Sequence, residues 1–326
     1  MRRSSSSILS APPGFVARVL RIGAVGLVAA ALATCAEPTA TGAPGVATRL
    51  VFTTQPSNQT AGATMTPVLV TAQDQQGNTA VSFAENVTMT ITTGAGTPGA
   101  TLAGTVTVAA SQGIAVFSDL HINRSGSGYT LSAEATGLSL VAPSTTFSIN
   151  PGPAVKLIFT GQPITAAAGA SIAPAVVVTA QDLNNNTATS FAGPVAISLG
   201  TNPVSGTLSG TATGNASNGV ATFNSLKIDK VGTGYTLKAT SLGLTEDVSA
   251  SFSINPGLAA TLVFTGQPSG VVAGAAINPA VVVTALDGQG NLATGFVGSV
   301  TLAFANNAGS GTLTGATVTA AAGLAT

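Results

Sequence analysis

The sequence predicts an all-β chain of tandem β-sandwich repeats, the third of them incomplete. Three observations carry that expectation. Phrases after residue 45 recur about every 105 residues, and repetition on that scale is the sign of an array of domains. Apolar residues inside the phrases alternate with a period of two, the interval at which strand side chains change face. Gly, Pro, Asn and Asp break the runs at the roughly 8 to 12 residue spacing of sandwich turns.

The first 45 residues stand apart. Arg2, Arg3, Arg18 and Arg21 precede the apolar run Ile22 to Ala33. A helix needs about 20 residues to span a bilayer, whereas a signal-peptide core needs roughly 7 to 15. Residues 1–34 are therefore expected to be a signal peptide. Ser4 to Ser7 follow Arg2-Arg3 where a twin-arginine signal would place apolar residues. Cys35 is the sole cysteine of the chain, so it can make no internal disulfide and no cysteine-rich metal site.

Leu32-Ala33-Thr34-Cys35 resembles the lipobox of bacterial lipoproteins. The resemblance implies cleavage before Cys35 and a diacylglyceryl group on its thiol. Thr34 departs from the usual Gly, Ala or Ser, and Ala36 resembles the outer-membrane class more than the retained one. Ala31-Leu32-Ala33 also fits ordinary signal peptidase, which would release a soluble protein. Each buried lipid CH₂ contributes about 0.8 kcal/mol and one chain anchors only marginally, so firm attachment needs multiple acylation. Residues 35–45 form the tether; the ten after Cys35 reach at most about 35 Å.

Removing residues 1–34 leaves six cations against ten acids, a net charge of −4. A weakly acidic chain without a basic patch is not built for nucleic acid or anionic lipid.

The repeats begin with "LVFTTQP" at 50–56, "LIFTGQP" at 157–163 and "LVFTGQP" at 262–268. "VTAQDQQGN", "VTAQDLNNN" and "VTALDGQGN" follow in step, and "FSINPG" closes the first two units. These phrases set the units at 46–152, 153–257 and 258–326. The third aligns only as far as Gly219 to Thr222 of the second, so the sequence is expected to be part of a longer reading frame. In unit two Leu157, Phe159, Val176, Val178, Ala180, Val195, Ile197, Leu199, Leu208, Val220, Thr222, Leu226, Ile228, Leu237, Phe252 and Ile254 are the expected inward positions, and Phe223 and Tyr235 are counted in the core as well. Losing the late ones should leave residues 258–326 unstable.

Asp74, Asp182 and Asp287 are followed by Gly77-Asn78, Asn185-Asn186 and Gly290-Asn291. Asp accepts backbone N–H groups two residues on, and Gly and Asn tolerate positive φ, so each phrase is expected to be a strand-to-strand turn. The rival is a calcium site, but calcium takes six to eight oxygens, usually from several carboxylates. Tyr129 and Tyr235, the only tyrosines, share one repeat position, each after Gly-Ser-Gly or Gly-Thr-Gly and each expected to begin an alternating strand. Each is expected to be a tyrosine corner, its hydroxyl bonded to a loop carbonyl; stacking on a ligand is the alternative.

These motifs together, with Gly-Val-Ala-Thr-Phe at 219–223 and Gly-Tyr-Thr-Leu in units one and two, are similar to tandem bacterial Ig-like domains of the invasin and intimin type. The likeness covers residues 46–326. It implies repeats that space an adhesive tip from an outer membrane, here behind a lipid signal in place of the β-barrel anchor of the best-known members. Catalysis lacks parts. His121 is the sole histidine and aligns with Lys227, and Glu246-Asp247 are adjacent, so in a strand they point to opposite faces. Zinc, Ser–His and Cys–His chemistry are therefore excluded. No cofactor is expected. A glycan-binding module is the better rival, though the chain has no Trp. Lys–Asn crosslinks would need a lysine in each unit, and unit one has none. The expected protein is an exported, lipid-anchored, monomeric array that serves as a stalk for surface adhesion, its ligand unidentified.

Overall fold

The structure is a computed structural model and describes residues 45–326. The signal peptide, Cys35 and the tether up to residue 44 lie outside the described residues.

The described chain is all-β and forms Ig-like sandwiches. In the first repeat, Arg49–Thr54 lies between Ser139–Leu140 and Val68–Gln73, and Ile114–Phe117 closes that sheet. The facing layer contains two ladders. Asn86–Ile91 pairs with Thr107–Ala109 and Leu131–Glu134, while Phe147–Asn150 pairs with Gln59–Thr60 and Gly126–Tyr129. Only Thr130 separates Gly126–Tyr129 from Leu131–Glu134, so one strand course serves both ladders and unites them. The second repeat reproduces the register: Lys156 stands opposite Gln181 as Arg49 stands opposite Gln73.

Alternation makes each layer two-faced. In Lys156–Gly161, Leu157 and Phe159 are buried and Ile158 between them is not. Val195 and Ile197 do the same in Pro194–Leu199. Opposed faces of this kind exclude water from one core per sandwich. One core lies within residues 50–149, a second within 157–254, and a small third within 283–325. The third region holds the three-stranded sheet of Ala259–Gly266, Val282–Asp287 and Leu324–Ala325, and the pair Ser299–Thr301 with Thr317–Thr319.

Two expectations need correction. Val220 and Thr222 do not face the core; Ala221 and Phe223 do. The reason is register: Phe223 stands opposite buried Val176, and Ala221 opposite buried Val178. The apolar character of Val220 pointed to the wrong face, and a one-residue shift inverts a whole strand. Also, Tyr129 and Tyr235 end their strands, Gly126–Tyr129 and Gly232–Tyr235, and do not begin one.

The hairpin into Val220–Phe223 turns on Asn218 (φ 49°) and Gly219 (φ 79°). Two successive positive φ values are the type I′ geometry that suits the strand twist. A Cβ on Gly219 would also fall 2.7 Å from the carbonyl oxygen of Ala188, so glycine is required there on two counts.

Candidate functional site

The three Asp turns share one geometry. Asp182 Oδ1 accepts the N–H groups of Asn184 (2.8 Å) and Asn186 (2.8 Å). Its Oδ2 accepts Gly152 N–H (2.8 Å) and the Asn186 amide Nδ2 (3.0 Å). Asp287 receives the same set from Gln289 (2.9 Å), Asn291 (2.9 Å) and Gly257 (2.9 Å). Asp74 receives it from Gln76 (3.0 Å), Asn78 (2.8 Å) and Gly45 (3.1 Å). Gly77, Asn185 and Gly290 take the positive φ in each turn, at 91°, 65° and 78°. The three carboxylates are only 1–3% exposed, yet each stays ionised more readily than usual. For Asp74 the Gly45 N–H is the largest influence and lowers the pKa. For Asp182 and Asp287 burial is the largest single influence and pushes upward, but the N–H donors together outweigh it. A carboxylate saturated with N–H donors is a poor start for a calcium shell, which wants free oxygens.

Tyr129 and Tyr235 are fully buried. The Tyr129 hydroxyl donates to Arg124 C=O at 2.8 Å, and that of Tyr235 to Lys230 C=O at 2.9 Å. Their rings lie 5.8 and 6.1 Å from Phe147 and Phe252. No ring face is left open to a ligand.

The structure brings the two motifs together across the repeat junctions. The Asn186 amide Nδ2 donates to Asn123 C=O (3.0 Å), and its Oδ1 accepts Ser125 N–H (2.9 Å). Asn123 and Ser125 flank Arg124, the residue held by Tyr129. At the next junction Asn291 Nδ2 donates to Asp229 C=O (2.8 Å) and Oδ1 accepts Val231 N–H (3.4 Å), on either side of Lys230. Asn78 donates to Asp74 Oδ2 (3.2 Å) in the same turn of the first repeat.

Sequence reasoning missed two other repeated residues. Gln55 and Gln162 accept the N–H groups of Thr145 (2.8 Å) and Ala250 (2.9 Å) through their side chains. Ser144 and Ser249, both buried, accept Leu131 and Leu237 N–H at 2.8 and 2.9 Å. The recurrent Gln-Pro pair was the visible signal for the first, and for the second it was a serine three residues before the repeated Phe-Ser-Ile-Asn-Pro-Gly phrase. His121 lies by Asp119 C=O at 3.2 Å. Asp247 accepts Phe159 N–H at 2.8 Å, while Glu246 pairs with Lys238 at 2.7 Å. Among the described residues no three His, Cys, Asp or Glu side chains gather as a metal site.

No protein-family model and no curated protein matches the chain. Several solved structures are loosely similar. The Escherichia coli adhesin FdeC is 17% identical, over 82% of this chain and 83% of that one, with a TM-score of 0.39. Surface layer protein SbsC, domains 4–9, is 16% identical over 76% of this chain and 38% of that one, at 0.21. A β-glycosidase from Bacteroides vulgatus is 12% identical over 63% of this chain and 25% of that one, at 0.29. Superpositions this loose carry no function from one chain to another.

Proposed function

We propose that the chain is a non-enzymatic cell-envelope protein whose Ig-like repeats are a stalk or spacer supporting surface adhesion, held at the outer membrane through lipid on Cys35. One observation carries the reading. Among the described residues the buried charged side chains are Asp74, Asp182 and Asp287, and each accepts an N–H from the segment that leads into its own repeat. Burying a carboxylate is costly unless it is fully bonded. This chain spends its buried charge on joining segments and gathers none in a cleft. That is the economy of a spacer, whose work is to keep modules in order.

The test separates spacing from binding. In cells that display the protein, deletion of residues 153–257 should weaken adhesion, and an unrelated Ig-like repeat of equal length should restore it. The purified protein should bind no component of a glycan or matrix-protein array. Array binding that is lost on surface substitutions within residues 46–257 would overturn the spacer reading in favour of a binding module.

A further inference from the structure

The contacts across the two junctions follow one plan, and we propose that the plan is a recognition site. The Asp-x-(Asn/Gln)-x-Asn turn of each repeat binds the tyrosine-held corner loop of the repeat before it and so fixes the orientation of the two. The site reads backbone, not side chains.

The Asn186 amide does most of the reading. It donates to Asn123 C=O and accepts Ser125 N–H. Both bonds form only where the loop offers a carbonyl and an N–H two residues apart at a set separation. The residue between them is Arg124, whose carbonyl the Tyr129 hydroxyl holds. A phenol in the core of one repeat thus sets the loop that the next repeat reads. Asn291, Lys230 and Tyr235 repeat the arrangement one junction on. The two loops are Asn-Arg-Ser at 123–125 and Asp-Lys-Val at 229–231. They share no side chain, yet the same atoms are engaged. The partner is therefore any corner loop of this shape.

A second contact lies two residues after each Asp. Asn184 Nδ2 donates to Ala61 C=O at 3.0 Å. The neighbouring Gly62 has φ 77°, and a Cβ there would fall 2.5 Å from Asn184 Nδ2. At the next junction Gly169 has φ 73°, and a Cβ would fall 2.6 Å from Gln289 Nε2. Glycine clears the approach of an amide in both places. A third contact is the Gly152 or Gly257 N–H on the Asp carboxylate. Linker, corner loop and glycine loop are separate attachment points. Together they resist a rotation that Pro151-Gly152-Pro153 alone would leave open. The first repeat carries the same turn residues in Asp74, Gln76 and Asn78. The site stands whether or not the repeats serve as a stalk.

Spin labels test it on the full chain in a Cys35→Ser background. Ser82 and Ser190 occupy one repeat position, are exposed, and can each be changed to a labelled cysteine. Pulsed dipolar spectroscopy should give one narrow distance peak for the parent. Asn186→Ala should replace it with a broad distribution, and Tyr129→Phe should broaden it through the loop. Asn184→Ala removes one cross-junction bond and leaves the bonds inside the turn, so it should broaden the peak without loss of folding. Asn78→Ala, which breaks the same Asp–Asn bond at the far end of the first repeat, should leave the peak narrow. An unchanged narrow peak in Asn186→Ala and Asn184→Ala, with the cooperative melt retained, would overturn the proposal. So would a peak already broad in the parent.

Discussion

Replacing Tyr235 with Phe removes one oxygen and little else, so its effect can be worked from the structure. The ring is fully buried, stays against Phe252 and keeps its packing. What goes is the 2.9 Å hydrogen bond to Lys230 C=O. The bond is part-buried, so the expected case is a freed carbonyl that water satisfies again and a small penalty for stranding it. The cost is then the net worth of one hydrogen bond, about 0.5–1.5 kcal/mol. A domain of this size loses very roughly 5 °C in Tm per kcal/mol. Thermal melts of Tyr235→Phe and of the matched Tyr129→Phe should both show a shift of that order. Above neutrality the variant has a second signature. Burial, then the nearby Asp229 charge, push the Tyr235 phenol above its ordinary value of 10.0. A phenol with a raised folded pKa contributes stability that is whole below pH 10 and lost as pH climbs through the folded value. Wild type should therefore lose stability more steeply than Tyr235→Phe above pH 10. An unaltered melt would refute the corner assignment. A loss of about 3–5 kcal/mol, the size of an aromatic truncation, would show that the ring had moved and that the hydroxyl was not the issue.

Asp182 titrates below its ordinary 3.8 in the folded chain, so the stability it supplies is present above that pH and lost as pH falls further; Asp182→Asn should lower stability at pH 7 and flatten the loss between pH 4 and 2, and parallel melting curves would contradict this. Expressed in a diderm bacterium, the protein should take up labelled palmitate and partition into detergent, and Cys35→Ser should do neither; an unlabelled wild type in the medium with Thr34 at its N-terminus would show ordinary secretion. In residues 258–326, Leu262 and Phe264 are each 51% exposed, while their counterparts Leu157 and Phe159 are 1% and 4% exposed. Limited proteolysis of this 326-residue polypeptide should therefore leave a resistant core that ends near Gly257, and a resistant product reaching Thr326 would show that the third region folds.

The sheets were legible wherever alternation and repetition agreed. Leu157 and Phe159 mark their inner face three times over, once in each unit. Val220-Ala221-Thr222-Phe223 was not legible, because a β-branched residue and an aromatic residue compete for the core and only the pairing with Val176 and Val178 decides. The Asp turns showed in the spacing of Asp and Asn, since that chemistry is local. Their second task was hidden. Asn186 reaches back 63 residues to Asn123 and 61 to Ser125, and the loop it grips carries no side chain in common with its counterpart. A site that reads backbone leaves a signature on one partner only.

The junction is also weaker than the modules it joins. Asn186 supplies two cross-junction hydrogen bonds, Asn184 one, and Asp182 one to the linker. At about 0.5–1.5 kcal/mol net for each, and somewhat more for the charged acceptor, a junction is worth a few kcal/mol before the entropy of ordering it is charged. A folded domain of ordinary stability is worth roughly 5–15 kcal/mol. A pull on the chain would then open a junction before it unfolds a sandwich. Opening frees the amides and backbone groups that these bonds had joined. The Asp182 turn keeps its bonds to Asn184 and Asn186 backbone N–H, and Tyr129 keeps its loop. Each half of the joint thus has bonds of its own that the junction does not supply.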